Sequence, residues 1–174
     1  GETGMNCAGI TAPDGRIWIA EEWFRTSNAS IAGGSNSPIG GNGAGVRDTA
    51  DWTISTTIPG DFNGKTIKNF NYMVEIDPRT AKAIRKQYNW GRAGWEGGVI
   101  MPNNKTVYLG IDESPAPWVK FEADVAGDFT KGKLYAWKAD GTWVQLVNDK
   151  FDEINDLSGQ AFKKGAAMFN RNEW

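Results

Sequence analysis

Short runs rich in Val, Ile, Tyr, Trp and Phe alternate along the chain with clusters of turn-forming residues. That punctuation predicts antiparallel hairpins. The turn clusters are Pro13-Asp14-Gly15, Asp77-Pro78-Arg79-Thr80, Pro102-Asn103-Asn104-Lys105 and Ala139-Asp140-Gly141-Thr142. Residues 16–23, 70–76, 83–90, 98–101, 106–111, 118–122, 133–138 and 143–147 read as the strands around them. Helical spacing of apolar residues occurs at 160–169, in Ala161, Phe162, Ala166 and Phe169, and Gly165 weakens it. The class expected is therefore all-β with at most one short helix. Repeated hairpin units without a strict sequence repeat suggest propeller blades more than a sandwich. A blade takes ~40 to 50 residues, so 174 residues hold at most about four. The expectation is a single segment, 1–174, of an incomplete, irregular β-propeller built from antiparallel hairpins. Residues 27–46, mostly Gly, Asn, Ser and Ala, read as a flexible loop, longer than the ~12 to 15 residues beyond which loops are usually functional or mobile.

Composition narrows the partners. A 40% hydrophobic content and 12% aromatics, with nine Trp, describe a chain that buries a real core. A net charge of −2 without any long Lys/Arg run supplies no footprint for nucleic acid, and no segment is apolar enough for a membrane span. One cysteine makes no internal disulfide, and the chain has no histidine. Catalysis would thus fall to carboxylates, metal-bound water or the thiolate.

Those groups sit at strand ends beside glycines. If Pro13-Asp14-Gly15 forms a three-residue loop, Ala12 pairs with Arg16 and Cys7 lies opposite Glu21; a two-residue Asp14-Gly15 loop puts Cys7 opposite Glu22 instead. Cross-strand neighbours on one face are ~4.5 to 5.5 Å apart, near enough to share an ion. The competing reading is a buried structural cysteine with two solvated glutamates. Glu96 lies between Trp95 and Gly97-Gly98, where a buried acid needs a cation, with Arg92 close in sequence; a solvated loop glutamate is the plainer alternative. Asp112-Glu113 ends another strand. Carboxylates suit a hard cation and the thiolate a softer transition metal. The aspartates of 124–156 lack the spacing of a calcium-binding EF-hand loop, and Walker, nucleophile-elbow, CxxC and HExxH patterns are absent from the sequence.

In order along the chain, Asn6-Cys7-Ala8-Gly9, Glu21-Glu22, Val74-Glu75-Ile76-Asp77-Pro78, Gly91-Arg92 with Glu96-Gly97, Val107-Tyr108-Leu109-Gly110 with Asp112-Glu113, Lys133-Leu134-Tyr135 and Arg171-Asn172-Glu173-Trp174 resemble the PhoX-type alkaline phosphatase family. The resemblance implies a secreted bacterial enzyme, periplasmic or extracellular, that is an irregular β-propeller and hydrolyses phosphomonoesters with iron and calcium. It implies Cys7 and Glu96 as catalytic iron-side ligands, and Glu21 or Glu22, Asp112 or Glu113, and Glu173 as ligands of iron or calcium. Arg92 would add a contact to substrate phosphate. The partners implied are a phosphomonoester and the rest of a larger propeller or other copies of the chain. The chain departs from the family pattern at Trp95, where a histidine is usual. The competing class is a secreted calcium-binding structural or adhesive propeller protein without turnover.

Overall fold

The computed structural model describes residues 6–22 and 70–170. Residues 27–46, expected as a loop, and Glu173 lie outside the described residues. The first sheet joins β1 (Asn6–Thr11), β2 (Ile17–Glu21), β3 (Met73–Asp77) and β4 (Lys82–Lys86) in sequence order, all antiparallel. The second contains β5 (Trp95–Ile100), β6 (Thr106–Ile111), β8 (Val119–Val125), β9 (Asp128–Trp137) and β10 (Trp143–Leu146), in the order β10-β9-β8-β6-β5. Ala116–Pro117, β7, pairs with Met168–Phe169, β11. The described residues are thus mainly antiparallel sheet, blade-like in topology, and do not form a closed propeller.

The turn chemistry acts where it was read. Ala12 N–H donates to the Arg16 carbonyl at 2.8 Å and Gly15 N–H to the Ala12 carbonyl at 2.9 Å. The loop is therefore three residues, closed by Gly15 at φ +86°, a conformation that glycine adopts without a Cβ clash. At the β3–β4 turn the Asp77 carboxylate accepts Arg79 N–H and the Thr80 hydroxyl, both at 2.9 Å. The β8–β9 hairpin turns on Ala126-Gly127, pairing Val125 with Asp128, a turn that the sequence pattern did not mark. It makes β9 longer than the 133–138 expected. Residues 88–90 are a 3-10 turn rather than the end of a strand.

Among the described residues, two short helices stand where the pattern expects at most one, α1 (Phe151–Asn155) and α2 (Leu157–Lys163). The 160–169 expectation overran because Gly165, at φ +77°, breaks the helix and Met168–Phe169 pairs as strand.

Strand alternation sends one face of each sheet into a shared core. On β6 Val107, Leu109 and Ile111 are buried, and on β8 Val119, Phe121 and Ala123. They join Trp18, Met73, Trp90, Trp95, Phe129 and Leu134 in one cluster. Trp18 lies 5.7 Å from Trp90 and edge-on to Phe129 at 5.4 Å, centroid to centroid. Burying a large apolar side chain is worth about 1.5–3 kcal/mol, so this seam holds the sheets together. The free edges of the two sheets, β1 and β5, then run side by side, with a Cβ on Gly97 meeting Ala8 Cβ at 3.4 Å.

Candidate metal centre

Where β1 and β5 run together, three acids converge. One carboxylate oxygen from each of Glu22, Glu96 and Asp112 lies within 4.8 Å of the other two. Cys7 is exposed, with its thiol influenced by Glu22 and, more weakly, by Glu96; its sulfur is not among the ligand atoms that lie within 4.8 Å of one another. Two oxygens each ~2.4 Å from one calcium are at most about 4.8 Å apart, so the spacing admits a shared cation.

A local irregularity of β1 chooses the glutamate that meets the thiol. Its register runs Thr11 to Ile17, Ile10 to Trp18 and Gly9 to Ile19, then slips so that Asn6 faces Glu21. Regular pairing from the three-residue loop puts Cys7 across from Glu21. The slip inserts one residue, a β-bulge that re-aims side chains, and it is Glu22, not Glu21, that acts on the Cys7 thiol.

The same arrangement recurs in the second sheet. β5 slips between Trp95 and Gly97, and Trp95 faces Ile111 as Asn6 faces Glu21. A Cβ on Gly9 meets the Trp18 carbonyl at 2.6 Å, and one on Gly98 meets the Tyr108 carbonyl at 2.3 Å. Superposing these two glycines equates Cys7 with Glu96 and Glu22 with Asp112. The cluster is thus one pair of blade positions used twice: the bulged residue of the first strand and the residue just after the second.

Electrostatics fits a cation. Burial pushes the Glu96 carboxyl above its ordinary value, and the charges of Glu22 and Asp112 push it further. The Cys7 thiol is raised by its hydrogen bond to Glu22, by that carboxylate's charge, and, further down, by Glu96. A Glu96 carboxyl and a Cys7 thiol that resist ionisation beside other carboxylates are groups that a bound cation would relieve.

The remaining expected residues lie around this group. Glu21 is fully buried; its carboxylate accepts Tyr72 N–H at 3.0 Å and the Lys86 ammonium at 2.9 Å. Glu113 accepts Gly94 N–H at 2.6 Å. Burial raises the Glu113 carboxyl, opposed by that hydrogen bond and by Arg92. Arg92 is buried, its Nε donating to the Phe70 carbonyl at 2.9 Å and its Nη2 to Asn71 Oδ1 at 3.1 Å.

The family model for the alkaline phosphatase PhoX matches residues 1–174. The chain belongs to the PhoX family. A solved structure, Pseudomonas fluorescens PhoX in complex with vanadate, a transition state analogue, is similar with a TM-score of 0.66 and 20% identity. The match covers 99% of this chain and 37% of that one. No curated protein sequence matches the chain. The likeness accords with the antiparallel architecture, since PhoX is a β-propeller. Trp95, which the resemblance marks as a departure from the family pattern, is fully buried, and its indole Nε1 donates to the Gly91 carbonyl at 3.2 Å. It is a core residue here, and strand alternation turns Glu96 the opposite way.

The pairing of Cys7 with Glu22 and the joint use of Glu22 and Asp112 had no signal in residue types. Glu21-Glu22 and Asp112-Glu113 look like matching acidic pairs, yet the registers align Glu22 with Asp112, one residue out of phase.

Proposed function

We propose that this chain carries part of the metal centre of a phosphomonoester hydrolase, with Cys7, Glu22, Glu96 and Asp112 as ligands. The observation that carries this is the convergence of the three carboxylates within 4.8 Å beside Cys7, in a chain of the PhoX family. Calcium suits the carboxylates and iron the thiolate. Bound there, such ions would neutralise charge on the phosphoryl group in transfer.

The protein's own contribution is positioning. Glu96 and Cys7 are exposed, so the centre faces solvent, where a phosphate monoester arrives without displacing core residues. Glu22 and Asp112, half-buried, are fixed at strand ends and keep their carboxylates from separating. In this reading Glu21 takes Lys86 as its cation and stays outside the ligand set. Periplasmic or extracellular placement belongs to the same proposal, as a family trait that leaves an exposed thiol in an oxidising compartment unless a metal holds it.

The test is hydrolysis of a simple aryl phosphate by metal-replete protein. Cys7→Ala and Glu96→Gln are each expected to lower kcat by about 100-fold or more, the scale for losing one element of charge stabilisation. Glu122→Gln, remote in a part-buried pair with Lys120 at 3.0 Å, is expected to match wild type. A metal-replete protein without phosphatase activity would overturn the enzyme reading and favour the calcium-binding structural one.

A further inference from the structure

The carboxylates that converge at the centre come from three separate strand ends, and one buried polar network ties their backbones together. Its hub is Arg92-Ala93-Gly94 with Asn71. On one side Asn71 Nδ2 donates to the Glu21 carbonyl at 3.4 Å, one peptide from Glu22. The Glu21 side chain is clamped in turn by Tyr72 N–H and Lys86. Asn71 Oδ1 accepts Arg92 Nη2, while Arg92 Nε holds the Phe70 carbonyl. Ala93 N–H closes the loop on the Asn71 carbonyl at 3.1 Å. On the other side Asp112 N–H donates to the Gly94 carbonyl at 2.8 Å, and Gly94 N–H to Glu113 Oε1. Gly94 lies two residues before Glu96 along the chain.

We propose that Arg92 and Asn71 are positioning residues of the metal centre: they fix the mutual placement of Glu22, Glu96 and Asp112, and Arg92 does so in place of holding substrate phosphate. The proposal rests on the metal reading above. Three features carry it. Arg92 is 5% exposed and Asn71 3%, so both act inside the protein. The guanidinium spends its planar fork on two acceptors from adjacent residues, a task that a lysine ammonium on a flexible stem does not reproduce. Asn71 is held at φ +72°, a backbone conformation that non-glycine residues adopt infrequently, and its amide links the Arg92 side chain to the strand end that bears Glu22.

Groups that orient metal ligands typically alter metal affinity by about 10–100-fold when changed. The experiment is calorimetric titration of the metal-free protein with calcium chloride, alongside aryl phosphate kinetics and circular dichroism. Arg92→Lys keeps the charge and removes the fork. Asn71→Gly keeps the positive-φ backbone accessible and removes the amide, and it carries the test if Arg92→Lys does not fold. Each is expected to weaken calcium binding about 10–100-fold with native-like dichroism. Calcium affinity equal to wild type in a folded variant, with KM for the aryl phosphate raised instead, would overturn the proposal and return Arg92 to a phosphate contact. Wild-type protein that binds no calcium would remove the metal reading itself, and the positioning role with it.

Discussion

At the residue scale, space decides more than chemistry at the glycines of β5 and β6. Gly98 has its neighbour's backbone where a Cβ would sit, the Tyr108 carbonyl at 2.3 Å, with Leu109 Cδ2 at 3.1 Å. Backbone cannot rotate away as a side chain can. Gly110, on the paired strand, has nothing within 4 Å. Gly98→Ala is therefore expected to destabilise by about 1–3 kcal/mol, the usual range for overpacking, and Gly110→Ala to stay within about 0.5 kcal/mol of wild type. Urea unfolding midpoints at constant m-value measure both. Because Gly98 is two residues from Glu96, the first change also disturbs the bulge that aims that carboxylate.

At the element scale, the tips of three hairpins meet around an ion pair in the β1–β2 turn. Asp14 receives Arg16 Nη2 at 2.6 Å and Asn104 Nδ2, from the β5–β6 turn, at 2.8 Å. Arg16 also reaches the Gly127 carbonyl of the β8–β9 turn at 2.7 Å. The Arg16 guanidinium holds the Asp14 carboxyl well below the usual carboxylate range against the opposing effect of burial, and Asn104 adds a smaller lowering. A depressed folded-state value means that the native protein binds fewer protons than the unfolded chain around pH 4, so this stabilisation is present above about 3.9 and is lost as pH falls further. Asp14→Asn is accordingly expected to melt below wild type at neutral pH, with the gap narrowing as pH drops under about 4. Thermal scans from pH 7 to pH 2.5 test this; a constant gap would assign Asp14 a purely geometric role. The pair is partly exposed, so added salt is expected to shrink the gap at pH 7 as well.

At the scale of the whole molecule, the three convergent acids lie where the two sheets meet along β1 and β5. An ion shared by Cys7 and Glu22 from the first sheet with Glu96 and Asp112 from the second ties together elements that otherwise meet through the aromatic core. A ligand that binds only the native state stabilises by mass action, about 2.7 kcal/mol at one hundred times its Kd. Calcium is therefore expected to raise the melting temperature of the chelator-treated protein, and Glu96→Gln to blunt the rise. A melting temperature indifferent to calcium and to chelator would count against a structural role for the centre. This chain spans 37% of the length of the Pseudomonas fluorescens PhoX chain that it matches.

The sequence by itself determined the local architecture: Pro13-Asp14-Gly15, Asp77-Pro78 and Asn103-Asn104 produce their hairpins because φ preferences and Asx hydrogen bonds act within a few residues. Its motif order also carried the family. Only the tertiary structure decided which acid meets which. A one-residue slip in β1 exchanges Glu21 for Glu22 beside Cys7, and a matching slip in β5 brings Asp112 forward while Glu113 caps Gly94; register of this kind is set by packing across the sheet, and adjacent acidic residues look alike in one dimension. Arg92 reads in sequence as a cation near an acid, and in space it is a buried fork holding Phe70 and Asn71. Its role depends on residues some twenty positions away, about 21–22 in separation, which no local pattern encodes because they meet only when the two sheets close on their shared core.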